Sequence, residues 1–189
     1  GCTPANTLWL PFIRNAVGAM DFTPGAMHCQ QPEVYYSKEP NYAALGTRAY
    51  NMAMLVVFES GVQMMADSPT SYYHDADCMR FLALVPVTWD ETRVLEAQPE
   101  KVIVLARRKG DKWFIGAMNG DNEHERRINL NLGFLGSGSY RMTSFADGAN
   151  AFRHAEDYIR RIQKVDNTTT LPITLARNGG FCAVIEAGY

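Results

Sequence analysis

Carboxylates are the side chains here whose placement could do chemistry. Ala19 to Phe22 reads as a short buried strand, closed by the turn Thr23-Pro24-Gly25. Pro24 fixes its own φ and drives Thr23 out of the helical region, and Gly25 permits a sharp reversal. Asp21 thus falls at the end of a buried strand, where a carboxylate is costly unless it is paired or useful. It either hydrogen-bonds the turn behind it or serves a site. Glu33 and Glu39 follow in the next loop, and Glu59 and Asp67 follow a helix, where capping or pairing suits them. Asp90 and Glu91 stand beside Trp89. An aromatic face next to two acids can hold a sugar ring, but packing of Trp89 at a seam with Asp90 holding a turn is the plainer account.

Other reactive types are scattered. Cys2, Cys29, Cys78 and Cys182 make no C-x-x-C pair, and His28, His74, His124 and His154 show no ligand spacing, so no metal site is expected. The thiols are expected to be mostly free and buried, with a chance disulfide if the protein is exported. Arg107-Arg108-Lys109-Gly110 reads as a solvated hairpin tip. Gly179-Gly180 precedes a strand, which suits a hairpin turn and not a phosphate loop. Tyr35-Tyr36 and Tyr72-Tyr73 could line a carbohydrate surface or bury their rings. Asn167-Thr168-Thr169 matches a glycosylation acceptor. Net charge is −2 over 189 residues, which points to neither nucleic acid nor an anionic membrane as partner. No apolar run reaches membrane-spanning length, and no signal peptide is read in these residues.

The elements that must position these groups fall into two regimes that meet near Pro86. A short helix is expected over Thr7 to Asn15. The clearest helix is expected over Tyr42 to Glu59, where Leu45, Ala49, Met52, Ala53, Val56 and Val57 recur at three- and four-residue steps. Ser60-Gly61 should end it. A further short helix is read over Val62 to Ala66, stopped by Ser68-Pro69, and another over Asp75 to Leu84 with Met79, Phe81 and Leu82 inward. After Pro86 the chain reads as about eight strands: 92–97, 102–108, 112–118, 127–132, 140–145, 158–165, 170–175 and 181–186. Alternation is clearest at Ile128, Leu130 and Leu132 against Asn129 and Asn131. Short strands with Gly and Asn turns predict an antiparallel β-sandwich.

Four segments carry a family resemblance: Leu10 to Gly25, Asn41 to Pro69, Val85 to Leu95 and Ala106 to Gly120. In order and spacing they resemble the C-terminal part of glycoside hydrolase family 97, bacterial α-glucosidases and α-galactosidases. Asn6 departs from the pattern, since relatives usually carry His there, which puts any role at that position in doubt.

The resemblance implies an α+β chain: residues 1–86 as the helical remnant of the last unit of a (β/α)8 barrel, and 87–189 as a C-terminal antiparallel β-sandwich. It implies an α-linked oligosaccharide as partner of the parent enzyme. Catalytic glutamates and calcium-binding glutamates would lie before Gly1, so no catalytic or metal-binding residue is expected here and the chain alone should not hydrolyse glycosides. Asp21, Met20 and Arg14 would sit near the rim or floor of the sugar pocket, as substrate contacts or as support. The parent would be periplasmic or secreted. A lone barrel unit should leave apolar faces of the Tyr42 to Glu59 helix and the Ala19 to Phe22 strand uncovered, predicting a homodimer, aggregation or rearrangement. A stand-alone carbohydrate-binding sandwich is the alternative, though it has no need of a helical first half.

Overall fold

The computed structural model describes residues 3–24, 26–36, 38 and 42–188. The expectations that fall on Cys2, Gly25, Glu39 and Asn41 lie outside them. Short elements come first: α1 (Pro4–Thr7), α2 (Leu10–Ile13), β1 (Asp21–Phe22), β2 (Cys29–Gln30), β3 (Ala44–Leu45), α3 (Arg48–Val57), β4 (Val62–Gln63), α4 (Pro69–His74) and α5 (Ala76–Leu84). Eight strands follow: β5 (Glu91–Gln98), β6 (Val102–Lys109), β7 (Lys112–Asn119), β8 (Arg126–Asn131), β9 (Tyr140–Asp147), β10 (Tyr158–Val165), β11 (Thr170–Leu175) and β12 (Gly180–Ala187).

The strands after Pro86 are where the sequence puts them; the first half differs in instructive ways. Pro11 cannot continue a helical hydrogen-bond ladder and sits instead in the first turn of α2, so the single helix expected over Thr7 to Asn15 is two one-turn pieces. α3 starts at Arg48, not at Tyr42. Gly46 has φ +88, and Ala44–Leu45 pair in parallel with β2, so the helix begins only after the Thr47 cap, whose side chain accepts the Tyr50 N–H at 3.1 Å. Val62–Gln63 is a strand parallel to β1, where a helix was expected; tertiary pairing decides so short an apolar run. Ser68-Pro69 starts α4 instead of stopping a helix. Ser68 accepts the Ser71 N–H, and Pro69 takes the first turn, where its missing donor costs nothing. α5 is as read, with Asp75 capping it through the Cys78 N–H.

The molecule has three layers. A six-stranded antiparallel sheet, in the order β10-β9-β12-β7-β6-β5, forms the middle. β11 and β8 form an antiparallel pair over one face, and α3 lies on the other, against β7 and β12. β6, β7 and β12 are covered on both sides and so read as unbroken apolar runs, whereas β8 alternates. Gly116 and Gly180 let α3 approach. A Cβ on Gly116 would stand 3.0 Å from the Ala53 carbonyl and from Val56 and Val57 side-chain atoms, and one on Gly180 would stand 2.5 Å from the Tyr50 Cα.

Every residue of α3 from Ala49 to Val57 is buried. This corrects the expectation of an uncovered apolar helix face. The sheet takes one side of α3, and Leu8, Met20 and Met27 join the same core cluster. Around β1 and β4, by contrast, Val17, Val62 and Met64 are exposed.

Candidate functional site

The segment carrying the expected sugar-contact residues is clasped to the end of α3. The Asn15 side chain donates to the Glu59 carbonyl at 2.9 Å and accepts the Glu59 N–H at 3.1 Å, and the Met20 N–H donates to the same carbonyl at 2.9 Å. Met20 is buried in the core. Arg14 is exposed and reaches the Gly18 carbonyl at 3.5 Å. Asp21 is also exposed and opens β1. It is therefore not the buried strand-end carboxylate that the sequence suggests, because the strand starts two residues later than expected. Among the described residues no hydrogen bond or ion pair joins Arg14 to Asp21.

Glu33, Glu59, Asp67, Asp90 and Glu91, singled out in the sequence, are committed to structure. Arg177 takes Glu33 in a bidentate pair at 2.5 and 2.8 Å and holds it below the usual glutamate range. Asp67 accepts the Met27, His28 and Ser68 N–H groups. Asp90 accepts the Gly110 N–H at 2.7 Å, and Glu91 pairs with Arg93 and Arg108. Trp89 meets Phe114 edge-on at 5.5 Å, with Arg107 5.4 Å above its ring. Packing, not sugar stacking, accounts for that aromatic–acid cluster.

Polar contacts between residues before and after Pro86 concentrate in one seam. Arg48 pairs with Asp75 at 2.8 Å and with Glu156 at 3.2 Å, and its N–H donates to the Ala155 carbonyl. The Tyr158 hydroxyl donates to Asp75 at 2.9 Å. Gln31 donates to the Ala151 and Arg177 carbonyls and accepts from Asn178. Arg107, 6% exposed, pairs with Glu59 at 3.0 Å while its Nε has no partner. A buried guanidinium keeps its place only while that carboxylate stays.

Beside these contacts stands Asp147, whose Oδ2 accepts the N–H groups of Ala176 and Gly180, each at 2.8 Å. Burial pushes its carboxyl up to about 7, against the pull of the nearby Thr47 hydroxyl and those two N–H groups. Asp147 pins the turn that carries the chain from β11 in the small sheet to β12 in the large one. Gly179-Gly180 thus connects two sheets and is not a hairpin tip. The Thr47 N–H donates to the Asn178 carbonyl at 2.9 Å, so the same turn receives the start of α3. Ala146-Asp147-Gly148 directly follows the strand expected over 140–145 and by composition is only a turn, because the partners of Asp147 lie about thirty residues away with no local pattern to announce them.

A cleft of about 600 Å³ opens beside this turn, lined by Glu123, Glu125, Asp147, Phe152 and Arg177 among others. A carboxyl raised toward neutrality beside other acids is the pattern of a general acid. Here Oδ1 is sealed from solvent without a partner and Oδ2 is filled by the two N–H groups, so neither oxygen is free to serve a substrate. Among the described residues no group of three or more His, Cys, Asp and Glu could hold a metal ion. Cys29, Cys78 and Cys182 are free and buried, with Cys78 pushed up to about 12 by burial, which makes them poor nucleophiles.

Comparison with known proteins extends this geometry. Residues 88–186 match the family model described as glycosyl-hydrolase 97 C-terminal, oligomerisation. A retaining alpha-galactosidase of Bacteroides thetaiotaomicron is 38% identical over 177 residues, 94% of this chain and 26% of that protein. A probable retaining alpha-galactosidase of Streptomyces bingchenggensis is 35% identical over 93% of this chain and 25% of its own length. A glycoside hydrolase family 97 enzyme from Pseudoalteromonas sp. strain K8, solved in complex with panose, superposes with a TM-score of 0.86 at 29% identity, over 99% of this chain and 29% of that one. The chain spans about a quarter of the length of the curated relatives it matches. The family model covers every strand of the sandwich, and the solved relative aligns through the helices and seam as well; this chain belongs to glycoside hydrolase family 97.

Proposed function

We propose that this chain is the carboxyl-terminal part of an α-glycosidase of the α-galactosidase type, that it holds the end of the catalytic barrel in position, and that its sandwich also carries self-association. The observation that carries the first part is the complete enclosure of α3, which joins the parallel strands β1 and β4 while its body rests on the glycine floor of the sheet. A parallel pair joined through a helix is the repeating unit of a (β/α)8 barrel, so residues 1–86 are read as its last unit and 87–189 as the sandwich that fixes it. The galactoside preference rests on the two curated relatives, and the self-association on the description of the family model.

In this reading Asp21 and Arg14 stand on a surface that the rest of the barrel completes, and Met20 supports them from the core. A retaining glycosidase needs two carboxyl groups ~5–5.5 Å apart, and Asp21 alone cannot provide them. The acid–base pair, and calcium where the enzyme uses it, then belong to residues outside these 189. The test is to assay the complete gene product and the 189-residue chain on nitrophenyl α-galactoside and α-glucoside. The expected result is hydrolysis, faster on the galactoside, by the complete product and none by the chain. Turnover by the chain alone, or a complete product inert on both, sinks the reading.

A further inference from the structure

The six-stranded sheet ends at β5 on one side and β10 on the other. Each edge presents a row of backbone groups unpaired among the described residues, a template that proteins normally guard with like charges, Pro or a covering element. β10 is guarded. It exposes Ile159 and Ile162 and its Arg160 leans on Asp77 at 3.7 Å, but it carries Arg160, Arg161 and Lys164 and no acid, so a second β10 laid against it would set cation against cation. β5 is different. Its centre is apolar and open, with Val94 64% exposed and Leu95 36% exposed. Its flanking charges are of opposite sign, Arg93 before the apolar pair and Glu96 after it. Glu96 has no ion-pair partner among the described residues, and Arg93 holds only the neighbouring Glu91 and lies 5.9 Å over the Trp113 ring.

We propose that β5 pairs antiparallel with β5 of a second copy of this chain, about a two-fold axis between Val94 and Leu95. This deepens the reading of the sandwich as the self-associating part and rests on it. With that axis Arg93 of each copy faces Glu96 of the other, and the apolar Val94 and Leu95 of both copies meet at the axis. Arg93 and Glu96 stand opposite Ala106 and Val104 on β6, residues of one core layer, so both side chains belong to the same face of the sheet. The strand is therefore complementary to itself, and the pairing closes at two copies. Pairing β5 to β10 of the next copy would repeat without closing. The irregularity between Val94 and Glu96 leaves Leu95 without a partner on β6. A bulge alone can blunt an edge, but this one lacks the Lys and Pro that usually accompany it.

The test is the dimer dissociation constant of the full 189-residue chain by analytical ultracentrifugation, for the parent, Val94→Lys, Arg93→Glu, Glu96→Arg and the double reversal. Thermal melts check that each variant is folded. A dimer is expected for the parent, and Val94→Lys and each single reversal should weaken it ~10-fold or more, since each change acts twice across the axis. The double reversal should recover most of that loss. A monomeric parent, single reversals without effect, or a double reversal no better than the singles would each overturn the pairing. Hydrolysis by the complete gene product is measured separately. An inert product whose β5 variants behave as expected sinks the enzymatic reading alone, while an active product indifferent to every β5 variant sinks the edge alone.

Discussion

Asp147 shows how a single residue can set the pH response of a fold without taking part in a reaction. Its carboxyl is held up to about 7 by burial, above the ordinary aspartate value it would have in the unfolded chain. The folded form therefore binds this proton more tightly than the unfolded one, and the group's contribution to stability grows as pH falls through 7 and levels off below about 4. Above 7 the buried charge is a cost, on the order of a few kcal/mol. Asp147→Asn removes that titration. The amide oxygen can accept the Ala176 and Gly180 N–H groups, but the amide nitrogen takes the place of the unpartnered Oδ1 and costs ~1–3 kcal/mol if left unbonded. The variant should thus be less stable than the parent at pH 5, with the gap narrowing or reversing by pH 8. Guanidinium melts at both values decide it, and a difference that does not move with pH would show that Asp147 is not the titrating group. Nothing in the local sequence announces this role. Ala146-Asp147-Gly148 reads as a turn, and its actual partners come from a distant turn.

At the scale of elements, the strands after Pro86 were legible because period-two alternation and Gly or Asn turns are local signals, and the eight strands follow them closely. The helices before Pro86 were less so. α3 is buried from Ala49 to Val57, the polar Asn51 included, so the stripe read from its sequence does not say which side meets the sheet. What fixes that register is glycine. A Cβ on Gly180 would stand 2.5 and 2.6 Å from the Tyr50 Cα and N and 2.9 Å from the Ala49 carbonyl carbon, all backbone atoms that cannot swing away. Gly180→Ala must therefore lift the first turn of α3 off β12, at a cost of at least ~2 kcal/mol. Gly61 meets nothing within 4 Å and has no positive φ, so Gly61→Ala should be neutral or stabilising by up to ~1 kcal/mol. Chemical denaturation of the two variants gives the comparison. Equal midpoints would mean that the close approach of α3 to the sheet does not hold the layers together.

At the scale of the whole molecule, the composition shift near Pro86 is real in sequence, yet the core ignores it. One apolar cluster takes Tyr50, Met52 and Phe58 from the first half and Ile103, Leu105, Phe114, Met118, Phe145 and Val184 from the second. The sequence showed two regimes but not that the helix of one is the cover of the other, because that depends on which face of the sheet meets α3. Cutting the chain to residues 87–189 would uncover the six side chains of the second half on one sheet face. At about 1.5–3 kcal/mol each the loss is roughly 9–18 kcal/mol, as large as the net stability of an ordinary domain. Arg107 would also lose Glu59, its ion-pair partner, and the Asn178 turn would lose Gln31 and the start of α3. The other face would remain packed against β8 and β11, so strand content should survive while fixed packing does not. The truncated chain should therefore bind hydrophobic dye, melt without a cooperative transition and associate at micromolar concentration, whereas the 189-residue chain melts in one step. A monomeric 87–189 that melts cooperatively within a few degrees of the longer chain would show the sandwich to be self-sufficient, and α3 to be a passenger on it.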